Sequence, residues 1–78
     1  ESANANQARA AYQEALALAH ELGMRPLEAQ CHLALGELAA KTGNKQQARE
    51  QLTRALTMFR GMGMQTWPEQ AESALKAL

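Results

Sequence analysis

Length, composition and charge predict an all-α protein. The 78 residues suffice for one small domain with a thin core. Val and Ile, which β-strands favour, are absent, whereas the helix formers Ala, Leu, Gln, Glu and Arg are abundant. Eight basic residues balance eight acidic ones without clustering, so we expect no nucleic acid partner, because phosphate binding depends on a concentrated positive surface. The longest apolar run, Ala15 to Ala19, is far below the roughly 20 residues that span a bilayer, so we expect no membrane partner.

Glycine and proline divide the chain into four predicted amphipathic helices. In chain order they cover residues 4–22, 26–42, 44–61 and 66–77. Glycine ends a helix readily because it adopts the left-handed C-terminal cap, and proline is tolerated in a first turn. Asn44 with Gln47 predicts an N-cap for the third helix, and Asn4 with Gln7 predicts the same for the first. Short linkers make neighbouring helices antiparallel.

The chain also repeats itself. Sliding residues 1–38 onto residues 41–78 gives twelve identical pairs, which include Asn4 with Asn44 and Gly23 with Gly63. Periods of 20 to 50 residues are typical of stacked arrays, in which each unit buries its apolar face against a neighbour. Such arrays present an extended surface rather than a closed pocket, which favours binding over catalysis.

Residues 31–55 resemble a tetratricopeptide repeat. Leu35 and Gly36 match the Leu-Gly pair of the first helix, where a missing side chain lets the second helix come close. The small and large positions of the second helix are filled by Ala48, Leu52 and Ala55, and in the preceding unit by Ala8, Tyr12 and Ala15. The sequence departs from the pattern at His32, Ala39 and Arg60. Lys76, which lies 40 positions after Gly36, occupies the place of the corresponding glycine in the next unit.

The resemblance implies an α-solenoid fragment of stacked helical hairpins. Residues 4–22 would be the second helix of one repeat, residues 26–61 a complete repeat, and residues 66–77 the first helix of a following or capping repeat. The period of 40 rather than 34 resembles a long variety found in bacterial multidomain ATPases, cyclases and transcriptional regulators. We therefore expect a piece of a larger cytoplasmic protein.

First helices of these repeats line a concave groove, so the resemblance also implies a binding site. The positions carried over are Gln30, Leu33, Glu37, Lys41, Gln70, Ser73 and Ala77. The expected function is protein interaction or scaffolding, with a peptide, a helix or another domain of the parent chain as partner. The alternative is that these residues form solvated helix faces. A clamp for a C-terminal carboxylate is not expected, because Leu33 and Glu37 replace its basic and amide side chains.

A second function is self-association through an exposed repeat end. The first helix would lack its hairpin partner, which leaves part of the stripe of Ala8, Tyr12 and Leu16 uncovered. Burying several hundred Å² of apolar surface is worth several kcal/mol, at about 25 cal/mol per Å². We therefore expect the fragment to associate with copies of itself.

Nothing in the sequence predicts an enzyme, a metal or a cofactor. Cys31 and His32 are adjacent on a helix and point about 100° apart, so they cannot readily share a ligand. We expect a buried thiol and a half-buried histidine, with the cysteine reduced in the cytoplasm. The four methionines are expected to fill gaps between stacked helices.

Overall fold

Four α-helices make up the part of the chain that the structure describes, which confirms the all-α prediction. The computed structural model describes residues 2–63 and 66–78, with the backbone alone at residues 2, 3, 66 and 67. The helices are α1 (Ser2–Glu21), α2 (Arg25–Lys41), α3 (Lys45–Gly61) and α4 (Thr66–Lys76). Each bound lies within two residues of the predicted one.

The helix ends recur at a constant interval. Helices α1, α2 and α3 end at residues 21, 41 and 61. Two residues beyond each end, a glycine adopts a left-handed backbone, with φ of 71° at Gly23, 84° at Gly43 and 74° at Gly63. A side chain is strained in this conformation. The helix and its turn therefore form a unit of twenty residues, and two units make the period of 40.

One predicted cap is confirmed and the other is wrong. The Asn44 side chain accepts a hydrogen bond from the Gln47 backbone N–H at 3.2 Å and caps α3. Asn4 instead lies inside α1, which begins at Ser2. Ser2 and Ala3 also have helical backbone, so in α-helical geometry the carbonyl of Ala3 accepts the Gln7 N–H that an Asn4 cap would have bonded.

Helices α2 and α3 form the most extensive helix pair, and α1 and α4 flank it on α2 and α3 respectively. A cluster of buried residues joins three helices and consists of Ala29, Leu33, Ala39, Ala48, Leu52, Ala55, Phe59 and Ala71. At the crossing of α2 and α3, a Cβ added to Gly36 would lie 2.6 Å from Leu52 Cγ. The predicted role of Gly36 is confirmed, since its missing side chain sets the distance between the two helices.

Two expectations about side-chain burial need correction. His32 is buried, with 5% of its surface exposed, rather than half-buried, and its Nδ1 lies 2.7 Å from Gln51 Oε1 on α3. The hydrogen bond compensates for the loss of hydration, so the imidazole can be buried more deeply than its polarity suggests. Met58 and Met62 pack against the core as predicted, but Met24 is 46% exposed. Met64 lies outside the described residues.

Candidate functional site

One face of α2 borders two neighbouring grooves. Its residues follow the three- and four-residue spacing of a helix face and are Leu27, Gln30, Ala34, Glu37 and Lys41. On one side of this face lies α1, and on the other lies α4. The arrangement measures 35 × 30 × 17 Å overall, so the helices form a thin slab with broad surfaces.

The first groove, which we call the α1–α2 groove, encloses about 340 Å³. Its walls are mainly apolar and are lined by Tyr12 and Ala15 of α1, by Leu27, Gln30, Cys31, Leu33, Ala34 and Glu37 of α2, and by Gln70 of α4. Tyr12 is 39% and Leu27 38% exposed. Two large side chains are therefore available to a partner, while the small residues between them leave room for it.

The second groove, the α2–α4 groove, encloses about 400 Å³. It is lined by Glu37, Ala40 and Lys41 of α2, by Lys45 at the start of α3, and by Ala74, Ala77 and Leu78 at the end of the chain. Lys41 and Lys45 bring two ammonium groups to this groove, against the single carboxylate of Glu37, and its other lining residues are apolar. This end of the α2 face therefore suits an acidic group.

Glu37 borders both grooves and is tied to α4. The Gln70 side chain donates a hydrogen bond from Nε2 to Glu37 Oε2 at 3.2 Å. This contact links α2 to α4 through two residues that are 33 positions apart along the chain. Of the other residues on the α2 face, Leu27 and Lys41 are exposed, and Gln30 and Ala34 are half-buried.

The predicted groove positions fall mostly on these two surfaces. Gln30, Leu33, Glu37 and Gln70 line the α1–α2 groove, and Lys41 and Ala77 line the α2–α4 groove. Leu33 is 3% exposed and contributes to the floor rather than to a contact surface. Ser73 is exposed on α4 but borders neither groove.

The predicted self-association stripe is partly uncovered. Ala8 and Leu16 are half-buried and Tyr12 is exposed, and Tyr12 belongs to the α1–α2 groove. The most exposed large apolar side chains near the C-terminal end of α1 are Leu18, at 56%, and Leu22, at 62%, which lies in the turn after the helix.

Leu27 and Lys45 also line the grooves, although sequence reasoning did not select them. Leu27 continues the spacing of Gln30, Ala34 and Glu37 by three residues toward the helix start, and this periodicity was the available signal. Lys45 belongs to the next helix, so only the turn between α2 and α3 brings it there.

Cys31 offers little chemistry despite its place in the α1–α2 groove. It is 5% exposed, and burial together with the Glu28 carboxylate raises the pKa of its thiol above the ordinary value. The thiolate is the reactive form, so this cysteine is a poor nucleophile at neutral pH. Within the described residues, no group of three His, Cys, Asp or Glu side chains is placed to hold a metal ion, and no helix there has the length and hydropathy to cross a membrane.

Comparison with known proteins identifies the family. A family model described as tetratricopeptide repeat matches residues 2–61, which contain α1, α2 and α3. No curated protein and no solved structure matches significantly. Tetratricopeptide repeats are non-catalytic and generally mediate protein–protein interactions. Because the match covers well over half of the sequence, the chain belongs to the tetratricopeptide repeat family.

Proposed function

We propose that this chain is a protein-interaction module that binds a peptide or a helix of a partner along the exposed face of α2. The observation that carries the proposal is the meeting of the two grooves at Glu37 on that single face. An elongated partner can therefore contact both grooves at once, as expected for stacked helical repeats.

The two grooves favour a partner that has an apolar group at one end and an acidic group at the other. Tyr12 and Leu27 in the α1–α2 groove suit an aliphatic or aromatic side chain. Lys41 and Lys45 in the α2–α4 groove suit a carboxylate, although Glu37 nearby repels one that comes too close. Ala34 and Lys41 lie seven residues apart on α2, so the apolar and acidic groups of the partner should be separated by about 10 Å, at 1.5 Å per residue.

A selection from a random peptide library displayed on phage tests this function. We expect the enriched peptides to carry apolar residues and to be acidic rather than basic. Their binding should be weakened at least tenfold by Ala34→Arg, which fills the α1–α2 groove, and severalfold by Lys41→Glu. Thr53→Arg, at an exposed position on the outer side of α3, is the matched control and should leave binding unchanged. Equal binding to the Ala34→Arg and Thr53→Arg variants would contradict the proposal.

Self-association is the second candidate function, and a different surface favours it. Leu18, Leu22 and Met24 expose about half or more of their surface at one end of α1. Contiguous apolar surface of a few hundred Å² is typical of interaction sites. In a pair of copies, these side chains would cover one another.

Sedimentation equilibrium distinguishes the two candidates. We expect Leu18→Glu with Leu22→Glu to abolish any dimer while leaving the α2 face competent to bind peptides. Tyr12→Glu should instead weaken peptide binding in the α1–α2 groove. A dimer that persists in the Leu18 and Leu22 double variant would exclude this surface as the contact.

We also propose that the module works within a larger cytoplasmic protein. Support comes from the repeat length of 40 residues, which resembles that of bacterial multidomain signalling proteins, and from the single cysteine, which is a buried free thiol. Nucleic acid is not a proposed partner because the charges are balanced and dispersed. The location in the cell of a fluorescent reporter fused to the parent protein would test the compartment.

A further inference from the structure

The internal repeat relates the α1–α2 groove to a surface that is already occupied in the same molecule. Adding 40 to the numbers of five groove residues, Tyr12, Ala15, Gln30, Cys31 and Ala34, gives Leu52, Ala55, Gln70, Ala71 and Ala74. Leu52, Ala55 and Ala71 belong to the buried core, and Ala74 packs against it. The helix that helps to cover this second set is α2.

Contacts made by α2 show how that surface accepts a helix. Gly36 of α2 lies over Leu52, where an added Cβ would be 2.6 Å from Leu52 Cγ. One residue further along α2, Glu37 accepts the hydrogen bond from Gln70 at 3.2 Å. Close approach at Gly36 and an acceptor at Glu37 therefore fix the position of α2.

On the α1 side of the α1–α2 groove the corresponding positions are more exposed, whereas Gln30, Cys31 and Ala34 on the α2 side are half-buried or buried. Tyr12 is 39% exposed, whereas its counterpart Leu52 is 0% exposed. Leu18 and Leu22 are 56% and 62% exposed, whereas their counterparts Met58 and Met62 are half-buried against the core. Helix α1 thus carries residues that correspond to a covered surface of α3, and no helix covers them within residues 2–63 and 66–78.

We propose that the α1–α2 groove is a docking site for a partner helix whose contact face resembles that of α2. This inference rests on the proposed function and specifies the partner. The partner helix carries a small residue, Gly or Ala, where it crosses Tyr12, followed directly by a hydrogen-bond acceptor for the Gln30 amide. The requirement for a small residue is at least as strict as at Leu52, because the tyrosine ring is larger than a leucine side chain.

One feature of α2 is not required of the partner. His32 of α2 is paired with Gln51 of α3, but the counterpart of Gln51 in α1 is Ala11. An alanine cannot pair with an imidazole, so a partner has no use for a histidine at that point. An apolar residue packs better there.

A synthetic peptide tests the proposal directly. The probe is residues 25–41 of this chain, acetylated and amidated, with Cys31→Ala to prevent disulfide formation and with a fluorescent label. Its binding to the full 78-residue chain is measured by fluorescence anisotropy. The matched control is the same peptide with Gly36→Leu. Leucine is the better helix former, so helix propensity alone would favour the control peptide.

We expect saturable binding of the Gly36 peptide and at least tenfold weaker binding of the Gly36→Leu peptide. Binding should also be reduced about three- to tenfold by Gln30→Ala in the protein or by Glu37→Ala in the peptide, as expected for loss of one hydrogen bond. The two changes together should cost no more than either alone. Equal affinity of the two peptides overturns the proposal.

Further outcomes would also overturn the proposal. The effect of Glu37→Ala in the peptide could instead be non-additive with Gln70→Ala in the protein rather than with Gln30→Ala. In that case the peptide has replaced the protein's own α2. If the chain alone forms a dimer that the peptide cannot dissociate and that blocks peptide binding, a second copy occupies the groove. Phage-selected peptides that still bind through Lys41 while the α2 peptide fails would refute the α2-like partner and leave the proposed function intact. Failure of both kinds of peptide would refute both.

Discussion

Gly36→Ala tests whether the spacing of α2 and α3 depends on a missing side chain. The new Cβ would lie 2.6 Å from Leu52 Cγ, 2.7 Å from its Cδ2 and 3.2 Å from its backbone nitrogen. Carbon atoms normally pack at about 3.5–4.0 Å. Leu52 is fully buried, so it has little room to move away. Overpacking of this kind costs about 1–3 kcal/mol.

Alanine also stabilises a helix relative to glycine, by about 1 kcal/mol, so the two effects must be separated. Gly61→Ala provides the control, because Gly61 is helical and an added Cβ there meets no atom within 4 Å. The difference between the two variants isolates the steric cost at Gly36. We expect Gly36→Ala to be about 1–3 kcal/mol less stable than Gly61→Ala.

Thermal unfolding followed by circular dichroism measures this difference. In a domain of this size, 1 kcal/mol shifts Tm by about 4–8 °C, so the two variants should differ by roughly 5 to 20 °C. Combining Gly36→Ala with Leu52→Ala should cost less than the sum of the single changes, because the smaller side chain removes the overlap. A Gly36→Ala variant at least as stable as Gly61→Ala would refute the argument.

Three further predictions concern single side chains. Asn44→Ala removes the cap of α3 and should lower the free energy of unfolding in urea by about 1 kcal/mol; an unchanged midpoint would contradict the cap. His32→Ala breaks the contact with Gln51 and should cost about 1–3 kcal/mol, whereas His20→Ala, at a side chain that is 79% exposed, should change stability by less than about 0.5 kcal/mol. Because its pKa is raised, Cys31 should react with iodoacetamide more slowly in the folded than in the unfolded chain at pH 8. The stability that its neutral form contributes should be complete below pH 9.0 and lost as pH rises further; Cys31→Ala should remove that loss.

Local signals were sufficient to predict the helices. Gly23, Gly43 and Gly63 follow the helix ends, and the small and large residues of α3 recur at helical spacing. Such signals involve residues only a few positions apart, so they can be recognised in the sequence without knowledge of the fold. The close approach at Gly36 was predictable because the Leu-Gly pair resembles a known repeat.

Contacts between distant residues were harder to predict. The deep burial of His32 depends on Gln51, which lies on another helix and is 19 residues away. The sequence predicts Tyr12 at an uncovered repeat end, and Tyr12 is exposed, but the position of α2 also makes it one wall of a groove. The early start of α1 depends on backbone hydrogen bonds that Asn4 alone does not reveal. In each case the missing information was which helix lies beside the residue.

The packing of each helix on its neighbours along the chain has a consequence for folding. Each helix packs chiefly on the helix before or after it along the chain, so most contacts form between residues that are close in sequence. Chains of this kind fold quickly, because little loop-closure entropy is lost before contacts form. The central pair of α2 and α3 has a neighbour on each side, whereas α1 and α4 have one. Amide hydrogen exchange should therefore be slowest in α2 and α3, and the ends should open and close while the centre stays folded.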